Sequence, residues 1–183
     1  MKLRTGLIIV ALLMTSAAYS QQTNLGIKGG LNFYNVYDNY GGFETKTGFH
    51  AGLLWHIHVD QNFAFQPEIM YSLQGANLPD NERLHLGYVN VPVLFQLMFN
   101  NGFRLEAGPQ LGFLVHARSE LDGFSEDVSN SFEQFDAALA LGAGFIGASG
   151  LGFDVRYNHG ISRINDGFKN RGFQVGLFYQ FSH

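Results

Sequence analysis

From Leu25 onward, apolar and polar residues alternate with a period of two through nearly the whole chain. In "LGFDVRYNHG", Leu151, Phe153, Val155 and Tyr157 fall on one side and Gly152, Asp154, Arg156 and Asn158 on the other. Successive side chains of a strand point to opposite faces, so this is strand periodicity. Eight segments share it: Leu25 to Val36, Lys46 to Val59, Asn62 to Gly75, His85 to Phe99, Gly102 to Arg118, Gln134 to Ala148, Gly150 to Arg163 and Arg171 to Ser182. No helical period competes with it. "DQN" at Asp60, "NNG" at Asn100 and "ASG" at Ala148 are tight hairpin signals, while the other connections, such as "YDNYGGFETK" and "RSELDGFSEDVSNSFEQ", are longer and polar. Short and long connections alternate along the chain and therefore sort onto opposite ends of the sheet.

The two phases differ in what accompanies the polar residues. One collects Phe103, Leu105, Leu111, Phe113 and Val115, then Phe173, Val175, Leu177, Tyr179 and Phe181; the other collects Arg104, Glu106, Gly108, Gln110 and Gly112, then Gln174, Gly176 and Gln180. Likewise Phe49, Leu53, Trp55 and Ile57 oppose His50, Gly52, His56 and His58. In a soluble lipid-binding barrel of the periplasm the polar phase would face water, and small residues would have no reason to gather there. Inside a narrow barrel of eight strands, glycine makes room for long polar side chains that fill the lumen. The expectation is therefore a closed, eight-stranded, antiparallel, up-and-down transmembrane β-barrel, apolar side outward. Short turns at one end and long loops at the other fit the outer-membrane plan, with the short turns periplasmic. Phe63, Phe99, Phe103, Phe145, Phe153 and Phe181 lie near strand ends, where interfacial aromatic girdles form.

The composition agrees. The chain has 183 residues, 23 of them glycine and 18 phenylalanine, and charged residues make up 14%, against about 25% in ordinary soluble domains. The absence of cysteine excludes a disulfide framework and a Cys-based zinc site. A formal charge of −4 carries no basic footprint for nucleic acid. Met1 to Gln22 reads as a secretory signal: Lys2 and Arg4 precede an apolar run from Leu7 to Met14 that is too short to span a membrane, and Ala18 and Ser20 mark the cleavage site. The expected division is a signal peptide over 1–20 and a barrel domain over 21–183.

"QPEIMYSLQGA" at Gln66, "YVNVPVLFQ" at Tyr88, "GPQLGFLV" at Gly108 and "RGFQVGLFYQF" at Arg171 resemble, in order and spacing, the porin-family outer-membrane β-barrel domain common in Bacteroidota. The resemblance spans about Leu25 to Phe181 and implies an outer-membrane location and a barrel fold more than any activity.

Several residues invite a chemical reading. His56 and His58 share a face of one strand, a two-ligand start for a metal that Asp60 or His50 would have to complete. In "NHGIS", His159 and Ser162 resemble the His and Ser of outer-membrane lipid A deacylases, but an i, i+3 pair on a strand points to opposite faces. Glu68 and Glu106 would need room for a sugar between them to act as a glycosidase pair, which an eight-stranded lumen lacks. Counting residues from the nearest short turn places Glu68, Glu106, Asp154 and Arg156 in one layer, with Arg104 and Lys28 slightly nearer the turns. Unpaired charges there would cost several kcal/mol each, so they are expected to pair across the lumen with Arg156 as hub. Pro67, Pro92 and Pro109 lack ladder donors in a sheet without edges, so a bulge or bend is expected at their common height.

These readings favour a non-enzymatic barrel of the cell outer membrane with a plugged lumen and long extracellular loops, and no cofactor. A porin-like channel for small solutes and a lipid-facing enzyme are the alternatives. The expected partners are outer-membrane lipid and lipopolysaccharide, and the barrel-assembly machinery during insertion; the chain is expected to be a monomer. The loop containing Phe124 and Phe132 is acidic and suits a cationic or calcium-bridged partner.

Overall fold

The computed structural model describes residues 23–37, 41, 43–79, 82–121, 124–165 and 167–181. The expected signal peptide, 1–20, lies outside them. The strands are β1 (Thr23–Tyr37), β2 (Glu44–His58), β3 (Phe63–Asn77), β4 (Arg83–Met98), β5 (Phe103–Leu121), β6 (Phe124–Asp127), β7 (Phe135–Ile146), β8 (Leu151–Gly160) and β9 (Lys169–Gln180). Eight of them form a closed antiparallel barrel. Each of the eight pairs with its neighbours in chain order, β5 passes over β6 to pair with β7, and β1 pairs with β9. Closure leaves no barrel strand with an unpaired edge, as a sheet immersed in lipid requires. The short β6 lies outside the barrel, folding back on the overhanging end of β5 from Leu121↔Phe124 to Arg118↔Asp127.

The short connections follow β2, β4 and β7, and Gly102 and Gly150 occupy left-handed positions in two of them, with φ of +88° and +83°. That conformation suits glycine and explains "NNG" and "ASG" as hairpin sequences. The other end, the loop end, carries the longer connections. One of these is itself folded: after β6, residues Ser129–Ser131 form a single 3-10 turn.

The phase agrees with the alternation. Phe153, Val155 and Leu177 are exposed on the outer face, whereas Asp154, Arg156 and Gln174 are buried inside. Lumen glycines stand where side chains reach across: a Cβ on Gly176 would lie 2.8 Å from Asp154 Oδ1, and one on Gly142 would lie 2.8 Å from Glu106 Oε1.

The prolines interrupt the ladders as expected but produce no bulge. Each proline lacks its partner on one ladder, Pro67 toward β2, Pro92 toward β3 and Pro109 toward β4, yet the register resumes unchanged beyond every gap. Each proline removes one donor, and the sheet absorbs that loss without inserting a residue. The register shifts lie nearer the loop end, between Thr45 and His50 and between Gly87 and Tyr88, where strands bend toward the loops.

Candidate functional site

The inward charges meet in the lumen. β8 brings Arg156 to the axis, where its Nη1 and Nη2 donate to the two carboxylate oxygens of Glu68 on β3 at 2.8 and 2.9 Å. Its Nε donates to Glu106 Oε1 on β5 at 2.8 Å. One guanidinium thus bridges two carboxylates from different walls, using the planar fork that lysine lacks. Lys28 Nζ on β1 donates to Asp154 Oδ2 and lies 3.8 Å from Glu68 Oε1, and Asp154 Oδ2 is 3.7 Å from Arg156 Nη2. Gln66 Nε2 donates to Glu68 at 2.8 Å and Gln96 Nε2 to Glu106 at 3.0 Å.

Arg104 is held apart from this cluster. Its Nη1 donates to Gln96 Oε1 at 3.3 Å and its guanidinium lies 5.5 Å from the Phe178 ring centre, with no described carboxylate at ion-pair distance. It reaches Glu106 only through Gln96. Arg104 lines a bowl of about 350 Å³ in the turn-end mouth together with His56, His58 and Gln180.

At the loop end the inner surface changes character. Leu84, Leu86 and Tyr88 of β4, Val36 of β1 and Ala117 of β5 are buried against Ile164 from the connection between β8 and β9. Phe43, Phe132 and Phe168 from three loops pack on this cluster, so the loops fold over the barrel mouth as an apolar cap. Sequence reasoning missed it, although a signal was present. Along β4 the inward phase passes from Gln96, Leu94 and Asn90 to Tyr88, Leu86 and Leu84 in succession, an uninterrupted run without a charged or amide side chain. Phe132 belongs to this cap, whereas Phe124 at the tip of the β5–β6 hairpin is 82% exposed.

The remaining candidates separate. The His56 and His58 rings meet edge-on at 4.6 Å, and His56 Nδ1 is 3.2 Å from Gln66 Oε1. His50 instead meets Asn32 Oδ1 at 2.8 Å, and Asp60 is exposed in its turn. Among the described residues no group of three possible ligands gathers around a common point. Ser162 Oγ donates to Asp136 Oδ1 at 2.6 Å, but His159 turns outward, its ring nitrogens 3.4 and 3.3 Å from the hydroxyls of Tyr37 and Tyr157. Serine and histidine therefore bond to different partners. Glu68 and Glu106 share Arg156, which fills the space a substrate would need.

A closed barrel of eight antiparallel strands, apolar outside and charged within, is the architecture of a transmembrane β-barrel. Residues 19–166 match the family described as outer membrane protein beta-barrel domain, and the chain belongs to that family. It is an outer-membrane protein. Among solved structures it is similar to Neisserial surface protein A, at 12% identity with a TM-score of 0.62 over 86% of this chain and 97% of that one. It is also similar to Ail, the attachment invasion locus protein of Yersinia pestis, solved with the heparin analogue sucrose octasulfate, at 19% identity and TM-score 0.55 over 87% and 99%. At these identities the likeness is one of fold. A search of curated proteins found no match.

Proposed function

We propose that the protein is a non-enzymatic surface barrel whose lumen is plugged and whose loop end, facing outside the cell, presents the β5–β6 hairpin to a partner. The observation that carries this reading is the double closure of the lumen. The Arg156 cluster blocks the middle, and the apolar cap covers the loop-end mouth. Eight strands leave a width that side chains fill, which argues against a solute pathway. The separation of Ser162 from His159 argues against nucleophilic catalysis on the lipid face.

The hairpin is suited to contact. Exposed Leu121 and Phe124 stand among Glu120, Asp122, Glu126 and Asp127 of the sequence, a mixed apolar and acidic tip that fits a basic partner. Ail was solved with a polysulfated ligand; this tip has the charge that would repel one. The test joins two measurements on the refolded protein. In planar bilayers no unitary conductance steps are expected, and regular steps at neutral pH would overturn the plugged-lumen reading. On a panel of basic and acidic glycans and proteins, binding is expected to the basic members and to fall with Phe124→Ser; indifference to that change would remove the hairpin from the proposal.

A further inference from the structure

We propose that the outer wall formed by β8, β9 and β1 at the loop end binds the phosphate of an outer-leaflet glycolipid of the lipid A type. The inference rests on the reading that the loops face outside, since only then does this wall meet the outer leaflet.

Three residues form a row across the lipid-facing surface. His159 is the register partner of Arg171, and Arg171 is the partner of Asn35. The Arg171 guanidinium stacks 4.3 Å from the Tyr37 ring centre, and its Nε donates to Asn35 Oδ1 at 3.1 Å. Stack and hydrogen bond together fix the plane of the fork, and among the described residues nothing bonds to its two terminal amino groups, whose geometry matches phosphate oxygens. His159 stands beside it with both ring nitrogens engaged by the hydroxyls of Tyr37 and Tyr157, so Arg171 supplies the donors.

The rows below are apolar and supply a bed for acyl chains. Tyr157, Phe173 and Phe33 form the next row and Val155, Val175 and Leu31 the one after it, each about 7 Å lower at strand spacing. The strip continues through Phe153, Leu177 and Gly29, and at Gly29 an added Cβ would meet only the His50 carbonyl oxygen, at 3.6 Å. Headgroup donors above, aromatic rings at the boundary and an apolar strip beneath match a phosphorylated lipid better than a free anion.

The distribution of charge points the same way. From Leu25 on, the lysines and arginines not buried in the lumen are Arg83, Arg118, Arg163, Lys169 and Arg171, and every one lies at the loop end. The opposite rim carries phenylalanines and neither lysine nor arginine. On the far side of the loop end the cations have acidic neighbours: Arg118 is paired in register with Asp127, and Arg83 with Glu120. Around Arg163, Lys169 and Arg171 no carboxylate of the described residues lies at ion-pair distance.

The test uses the mature barrel refolded in detergent, its fold checked by the shift of unboiled protein on gels. It is mixed with diphosphoryl lipid A, fully dephosphorylated lipid A or phosphatidylglycerol at equal mole fraction, and retained lipid is counted by native mass spectrometry. Retention of the diphosphoryl form is expected, reduced about tenfold by Arg171→Gln, reduced less by Arg171→Lys, and unaffected by Arg118→Gln on the far wall. Equal retention of the dephosphorylated lipid or of phosphatidylglycerol, or undiminished retention by a folded Arg171→Gln protein, would overturn the site. Proteolysis of the loops on intact cells separates the two readings: loops cut from outside with no lipid retained sink this site alone, and protected loops cut only from the periplasm sink both.

Discussion

The barrel interior is filled in two unlike ways a few residues apart along the same strands. In the middle, Glu68, Glu106 and Asp154 face Lys28, Arg104 and Arg156, all buried, with formal charges that cancel. At the loop end the same inward phase carries Val36, Leu84, Leu86 and Ala117. Only the strands themselves can fill the middle, so long side chains must reach the axis from the wall, with glycines opposite to admit them. Buried charge is tolerated there because every carboxylate meets a cation and Arg156 satisfies two of them at once. At the mouth, loops fold over from outside and bring Ile164 and Phe132, so short apolar side chains find partners, and buried Lys46 beside them donates to the Leu84 carbonyl oxygen at 2.8 Å. The two layers therefore fail differently: removing one charge strands its partners, while removing one methyl group leaves only a gap.

The largest effect is expected from Arg156→Met. Glu68 and Glu106 lose their common partner, and a loss of about 3–5 kcal/mol follows for breaking a buried pair from one side. Denaturant unfolding of the detergent-refolded barrel measures it. The triple variant that also changes Glu68→Gln and Glu106→Gln is expected to recover part of the loss, because neutral amides need no cation; no recovery would mean that Arg156 acts by volume and not by charge.

A somewhat smaller loss, about 2–4 kcal/mol, is expected for Leu86→Ala in the cap, from lost burial and the cavity left behind. Its signature is local: faster proteolysis between residues 122 and 134, with the unboiled gel shift retained. A global loss of the barrel without early loop cleavage would show that cap and lumen unfold as one unit.

Exposed charge pairs supply the contrast to the lumen. At a pH where His85 is protonated, Glu120→Gln, which removes its partner, is expected to change stability by less than about 1 kcal/mol and to lose that effect in about 1 M salt, whereas the Arg156→Met deficit persists at high salt. Equal salt sensitivity would mean that water reaches the lumen charges.

The smallest effect concerns the loop beyond the cap. The Ser129 hydroxyl and its backbone N–H, which donates to Asp127 Oδ1 at 2.9 Å, hold the Asp127 carboxyl below its ordinary range. A lowered folded pKa contributes order that is present above the unfolded value near 4 and is lost as pH falls through the folded one. Cleavage near the 3-10 turn by an acid-active protease is thus expected to rise below about pH 4, and Asp127→Asn to abolish the rise; a pH-independent rate would disprove the assignment.

Much of this was legible in the sequence because the period of two is a local property. Leu151 to Gly160 alone determines two faces, and glycine among the polar residues identifies the narrow interior. Residue counts from the tight turns placed Glu68, Glu106, Asp154 and Arg156 at one height, since rise per residue is nearly constant in a strand. Height does not determine reach, however. Arg104 lies near the same layer but turns onto Phe178 and Gln96, a choice set by rotamers and neighbours on other strands. The prolines were read as bulges because a missing donor is visible in sequence, whereas the tolerance of the surrounding ladder is not. The apolar cap was hidden for a further reason: Ile164, Phe132 and Phe43 are separated along the chain by loops of polar composition, and only folding brings those loops over β4. The Arg171 site has the same origin, with Asn35, His159 and Arg171 on three strands that meet because the barrel closes between β9 and β1. The sequence by itself thus determined the strands, their faces and the solvent each face meets, because these follow from alternation along one strand. Which charges pair, what closes the mouth and where a lipid headgroup would rest were decided by the tertiary structure, because each depends on side chains brought together across strands.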